Sequence, residues 1–223
     1  MLGNIMLNEL DHELERRGHK FVRYADDMVV FCGSKASAEQ TLEHIIPYIE
    51  GKLFLKVNRE KTVVAYAGKI KFLGYGFYKS QRGFRLRVHK KAQAKMRTRI
   101  KELTSRRYVN DYEGWKKSLK QFITGWVNYY KLADMKSLLQ STDEWMRRRI
   151  RMVFWKKWKR VRTKYRNLRK LGISHDDALM TAWCRRGYWF VARTPVIQTA
   201  LSNARLERAG FVSLYGYYKS VAA

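Results

Sequence analysis

Tyr24-Ala25-Asp26-Asp27 is the stretch of this 223-residue chain whose side-chain types and spacing most plainly suggest chemistry. Two adjacent acids lie between the apolar runs Phe21-Val22 and Met28-Val29-Val30-Phe31. Apolar runs on both sides of a short polar break read as a hairpin, which would hold the two carboxylates at its tip. Neighbouring carboxylates do not both stay ionised cheaply unless a cation lies between them. Hard oxygen donors favour Mg²⁺. Two such ions about 3.5–4 Å apart can activate an attacking hydroxyl and stabilise a leaving pyrophosphate. The plainer alternative is a polar turn between two strands.

A second chemistry is written between residues 145 and 166. Arg147, Arg148, Arg149, Arg151, Lys156, Lys157, Lys159, Arg160, Arg162, Lys164 and Arg166 are interleaved with Trp145, Phe154, Trp155, Trp158 and Tyr165. Cations this dense cover more than one face of a helix, which solubility alone does not require. They suit phosphate neutralisation, with aromatics either stacking on unpaired bases or packing a core. For each single aromatic, core packing is the commoner role. The whole chain follows the same trend, with 47 Lys+Arg against 19 Asp+Glu and a net charge of +28. Residues 1–50 hold nine acids and five bases, so residues 51–223 carry the other 42 bases and ten acids. A near-neutral head on a strongly basic body points to metal chemistry at one end and a polyanion along the rest. An anionic membrane surface is the weaker alternative, and no apolar run approaches the ~20 residues of a membrane span. Cys32 and Cys184 stand far apart and the five histidines are scattered, so we expect a reducing compartment and no structural metal. No secretory signal pattern opens the chain.

The elements that must carry these residues follow from periodicity. Residues 4–17 read as a helix with Ile5, Leu7, Leu10 and Leu14 apolar and Gly18 as its stop. Residues 20–25 and 28–32 read as the hairpin strands. Residues 37–50 read as a helix capped by Ser37, with Leu42, Ile45, Ile46, Ile49 and Leu53 on one face and Pro47 weakening its last turn. Residues 53–66 read as an extended pair around Asn58-Arg59-Glu60-Lys61, and 70–78 with 84–88 as another hairpin turning near Gln81-Arg82-Gly83. From about residue 90 the pattern is helical. Trp115, Leu119, Phe122, Ile123, Trp126, Tyr129 and Tyr130 form a stripe, and Ser174 and Thr194-Pro195 start later helices. The expected class is α+β: an antiparallel sheet with helices over 1–88, then an all-α basic domain over 89–223.

Taken together, these segments resemble the group II intron reverse transcriptase/maturases over essentially the whole chain. Tyr24-Ala25-Asp26-Asp27 is similar to their catalytic motif. Asn58-Arg59-Glu60-Lys61-Thr62 and Phe72-Leu73-Gly74-Tyr75 follow in the order of the polymerase palm, and Trp126-Val127-Asn128-Tyr129-Tyr130, Asp143-Glu144-Trp145 and Arg185-Arg186-Gly187-Tyr188-Trp189 resemble thumb and maturase segments. The resemblance implies a partial palm followed by a thumb and maturase-specific domain. Asp26 and Asp27 would be catalytic metal ligands for Mg²⁺, with deoxynucleoside triphosphate as substrate. Lys61 would act near the departing pyrophosphate, and Leu73, Gly74 and Tyr75 would form the primer grip. The alternatives are a solvated turn lysine and a hairpin glycine. Lys90, Lys91, Lys95, Arg97, Arg99, Lys101, Arg106 and Arg107 would lie along a template–primer duplex, and Arg185 and Arg186 would form a second RNA surface.

The implied partners are group II intron RNA, an RNA template with DNA primer, and a separate fingers–palm fragment. The implied location is the bacterial cytoplasm, in an intron ribonucleoprotein. The third palm aspartate and the fingers of the family have no counterpart in this sequence, and Asp11 reads as part of a solvated helix face with Glu9, Glu13 and Glu15. The lone chain is therefore expected to bind metal weakly and to polymerise nothing. A truncated gene, a split protein and an expressed fragment would each account for that. No DNA endonuclease pattern is present. A non-catalytic RNA-binding maturase is the alternative reading, and a nucleotidyl cyclase-like palm a more distant one. On this reading, reversing the charges of Arg147, Arg148 and Arg149 should weaken RNA binding and flatten its salt dependence, as filter binding would measure.

Overall fold

The computed structural model describes residues 2–106 and 111–221, so Arg107 lies outside the described residues. The chain forms two compact units, Met1–Arg87 and Val88–Ala223.

The first unit is α+β. Helix α1 (Leu2–Arg16) ends where Gly18 takes φ 73°, with its amide on the Glu15 carbonyl and the His19 amide on the Leu14 carbonyl. This pair of bonds satisfies the last carbonyls of the helix. Strands β1 (Lys20–Tyr24) and β2 (Asp27–Phe31) pair antiparallel, Phe21 opposite Val30 and Arg23 opposite Met28. Alternation along the strands sends those four side chains to one face. There Phe21, Met28 and Val30 pack against a core of Leu10, Leu14, Ile45 and Leu53.

Helix α2 (Lys35–Gly51) supplies Ile45. Its N-cap is Ser34, whose hydroxyl accepts the Ser37 amide, so Ser37 donates to the cap and is not the cap itself. The helix runs through Pro47, since Ile45 and Ile49 anchor it on both sides of the missing amide. Strands β3 (Lys71–Phe72), β4 (Tyr75–Ser80) and β5 (Gly83–Val88) form a second sheet in the order β3-β4-β5.

The expected strand pair within residues 53–66 does not form. The turn is there, with the Lys61 and Thr62 amides on the Asn58 carbonyl, but the flanks carry no ladder. Phe54 takes φ 53°, which breaks an extended run at its start and leaves its ring 86% exposed. Strand propensity without a pairing partner leaves backbone groups unsatisfied, so Val63 and Tyr66 remain in exposed irregular chain.

The second unit is helical. Helix α3 (Lys90–Leu103) buries Ala92, Met96 and Ile100. Helix α4 (Tyr112–Tyr130), capped by Asp111, buries Trp115, Leu119, Ile123 and Val127. The stripe thus runs on through Val127, while Tyr129 is exposed. Helix α5 (Lys136–Lys157) is the hub and buries residues on most sides, among them Leu139, Met146, Ile150, Val153 and Trp155. Six shorter helices follow: α6 (Val161–Lys170), α7 (His175–Trp183), α8 (Tyr188–Val191), α9 (Pro195–Ala200), α10 (Asn203–Arg208) and α11 (Leu214–Val221). The Ser174 hydroxyl caps α7 by accepting the Asp177 amide.

Asp143 ties the last helix to the hub. It is buried on α5, and its carboxylate accepts from the Ser213 hydroxyl at 2.6 Å and from the Leu214 and Tyr215 amides at 2.8 Å each. Those two amides open α11, where a negative charge is favoured by the helix dipole. Asp143→Ala should therefore cost about 2–3 kcal/mol, and Asp143→Asn, which keeps one acceptor, less. Urea denaturation followed by circular dichroism measures both.

Candidate functional site

The hairpin tip is a two-residue turn, Ala25-Asp26, closed by Tyr24 opposite Asp27. Ala25 takes φ 53°, the positive value that hairpin turns of this length use at a central residue. Asp26 occupies the turn and Asp27 opens β2, and both side chains are exposed, as is Tyr24. Asp11 is not on a solvated face. It is half-buried and ion-paired with Arg23, whose Nε donates to its two carboxylate oxygens at 2.8 and 3.0 Å and whose Nη2 donates to Oδ2. Hydrogen bonding to Asp11 raises the pKa of Arg23 above its ordinary value. The reason lies in the register: Arg23 points to the face that packs on α1, so its cation had to find an acid there.

Two adjacent carboxylates at an exposed turn offer the hard oxygens that Mg²⁺ prefers. Among the described residues no group of three His, Cys, Asp or Glu side chains comes together to enclose an ion. Two carboxylates supply the right kind of donor for such an ion but do not enclose one by themselves. Lys61 is exposed in the turn after Asn58. Leu73 and Gly74 form the two-residue turn between β3 and β4, with φ 50° and 82° and Phe72 opposite Tyr75. Positive φ at both central residues is the geometry that suits a tight hairpin. Glycine meets it freely, and Leu73 meets it at a steric cost.

In the second unit the cations sort into two populations. Four arginines in and after the Met146-Arg147-Arg148-Arg149 run radiate from α5 to α3, α8, α10 and the link before α10. Arg147 donates to Glu207 on α10 at 2.6 Å. Arg148 donates to the Trp189 carbonyl from two nitrogens, at 3.1 and 2.8 Å, and lies 3.8 Å from the centre of the Trp189 ring. Arg149 donates to the Thr104 hydroxyl and to the Lys101 carbonyl, closing the C-terminal end of α3. Arg151, buried, donates to the Leu201 carbonyl at 2.9 Å and to Asn203 at 2.8 Å. Burial lowers the pKa values of Arg148, Arg149 and Arg151, with help from Arg193 at the first and Arg147 at the last. These groups are engaged inside the domain, so a triple charge reversal at Arg147, Arg148 and Arg149 would read out folding together with binding.

Others face outward. The basic stretch is two helices, α5 ending at Lys157 and α6 beginning at Val161, with Lys159 and Arg160 exposed between them. On α6, Arg162, Arg166, Arg169 and Lys170 are exposed and share one face at i, i+4, i+7 and i+8, though Arg169 also donates to the Ile173 carbonyl at 2.8 Å. No acid stands anywhere on that helix. Lys170 extends the surface beyond the residues that charge density alone picks out, and its helical spacing is the signal that reveals it. Lys156 and Lys157 are half-buried near the end of α5. Lys164 lies over the Trp155 ring at 4.6 Å, and burial lowers its pKa. On α3, Lys90, Lys91, Lys95, Arg97, Arg99 and Lys101 are exposed, Arg99 paired with Glu102. Arg185 and Arg186 are exposed ahead of α8, with Arg186 over the Phe190 ring. The interleaved aromatics turn inward: Trp155 is buried, and Phe154 stacks on Tyr112 at 5.5 Å.

Two family models match the chain. Reverse transcriptase (RNA-dependent DNA polymerase) matches residues 1–77, and group II intron, maturase-specific domain matches residues 93–172. Comparison with curated proteins returns no match.

The two cation populations should respond differently to truncation. Arg151→Ala leaves a buried carbonyl unpaired and should cost about 2–3 kcal/mol, whereas Arg166→Ala should stay within about 0.5 kcal/mol of the parent chain, both by urea denaturation.

Proposed function

This chain belongs to the group II intron-encoded reverse transcriptase/maturases, and we propose that its helical unit grips intron RNA by the outward face of α6 with the exposed Lys159-Arg160 link before it. The observation that carries this reading is that Arg162, Arg166 and Lys170 are exposed on one face of a helix without acids. Unpaired exposed cations release counterions when they meet phosphates. The α3 cations and Arg185-Arg186 are proposed to extend the contact to template–primer and to a second stretch of RNA.

In the first unit, Asp26 and Asp27 are proposed to hold Mg²⁺, the ion that reverse transcriptases use with deoxynucleoside triphosphates. When bound, it would supply Lewis-acid activation of the attacking hydroxyl. Lys61, exposed on its turn, is proposed to offer a proton to the departing pyrophosphate. The Leu73-Gly74 turn is proposed to present backbone to the primer strand, which the absence of a side chain at Gly74 allows.

Filter binding to a structured group II intron RNA tests the RNA surface. Replacing Arg162, Arg166 and Lys170 by Gln should weaken binding and reduce the slope of log affinity against log salt by about 2–3. An unchanged slope would place the RNA elsewhere.

A further inference from the structure

Arg23 sits one residue before the Tyr24-Ala25-Asp26-Asp27 turn, and its fork reaches in two directions. Nε and Nη2 hold Asp11 on α1, as described above. Nη1 faces the turn: it donates to the Ala25 carbonyl at 3.0 Å and to the Asn4 side-chain oxygen at 3.1 Å. Arg23 and Asp11 are 14% and 20% exposed, so the pair is largely shielded from competing water. Ala25 is the residue that takes the left-handed φ of 53°, a conformation that its Cβ disfavours. The carbonyl that Arg23 holds therefore belongs to the one turn residue whose backbone most needs holding, and that residue immediately precedes both acids.

We propose that Arg23 is a positioning residue for the carboxylate pair: anchored on Asp11, it clamps the Ala25 carbonyl and so fixes the backbone from which Asp26 and Asp27 project. The inference rests on reading those acids as cation ligands. Its geometry needs a planar fork. A lysine could keep the ion pair with Asp11 but, as a single ammonium, could not hold Asp11, Asn4 and the Ala25 carbonyl together.

Electrostatics alone predicts the opposite sign. Removing a cation beside the turn, and freeing the Asp11 carboxylate, should tighten divalent binding. Loss of a positioning clamp should weaken it.

The test uses the full chain, Mn²⁺ as the probe titrated by electron paramagnetic resonance, and native-state amide exchange read residue by residue. Arg23→Ala and Arg23→Lys should both speed exchange at Tyr24 and Asp27, the pair that closes the turn, by about tenfold for the loss of one good hydrogen bond. Both should also weaken Mn²⁺ binding, while the amides of Leu14 and Ile45 keep their protection. Unchanged turn exchange, Mn²⁺ binding as tight as or tighter than in the parent, or full rescue by lysine would overturn the proposal. So would lost protection at Leu14 and Ile45, which would make Arg23 a general stability residue. The double variant Asp26→Asn/Asp27→Asn separates the two levels. If it leaves Mn²⁺ binding intact, the ligand reading fails, while faster turn exchange in Arg23→Ala would still support the clamp.

Discussion

Helix ends leave carbonyls without partners, and the helical unit of this protein, with nine helices among its described residues, has many of them to satisfy. Guanidinium groups meet much of that need. Arg149 closes α3, Arg151 takes the Leu201 carbonyl just past α9, and Arg205 takes the carbonyls of Ala200 and Leu171 at the ends of α9 and α6. Arg169 does the same for Ile173 beyond α6. Arginine suits the task because its donors are fixed in a plane and its charge is weakly hydrated. Part of the chain's large positive charge is thus spent on architecture. The account of RNA recognition depends on separating that part from the cations that face solvent.

The first unit uses the same device at Arg23, and again where Arg87 donates to the Gly68 carbonyl at 3.2 Å. A hairpin one residue wide of its two acids is held to α1 by a guanidinium and not by apolar contact alone. Elsewhere the unit is lightly packed: among its described residues the core cluster has four buried side chains, and Phe54, Val63, Tyr66 and Phe84 are exposed. The turn that carries the acids is therefore more dependent on its polar clamp than a turn in a thick core would be.

The hairpin was legible in the sequence because two apolar runs flank a short polar break, and the register that follows fixes which side chains face α1. The helix stop at Gly18 and the cap at Ser174 were legible for equally local reasons. Ser34 was not distinguished from Ser37 because either serine precedes the apolar face, and only backbone geometry decides which is outside the helix. Residues 53–66 read as strands because β-branched and aromatic residues favour extended chain, but a ladder requires a partner that propensity cannot supply. The arginine run was the hardest to divide. Arg147, Arg148, Arg149 and Arg151 differ from Arg162 and Arg166 only through acceptors 41 to 60 residues away in the chain. Asp11 was misplaced for the same reason: its partner is across the fold, on β1.

Arginine footprinting with a dicarbonyl reagent, on the free chain and on its complex with intron RNA, addresses the division of charge directly. Arg162 and Arg166 should react in the free chain and become protected when RNA is added, while Arg151 stays unreactive throughout. Reaction at Arg151 in the folded free chain, or equal reactivity of Arg162 and Arg166 with and without RNA, would contradict the account.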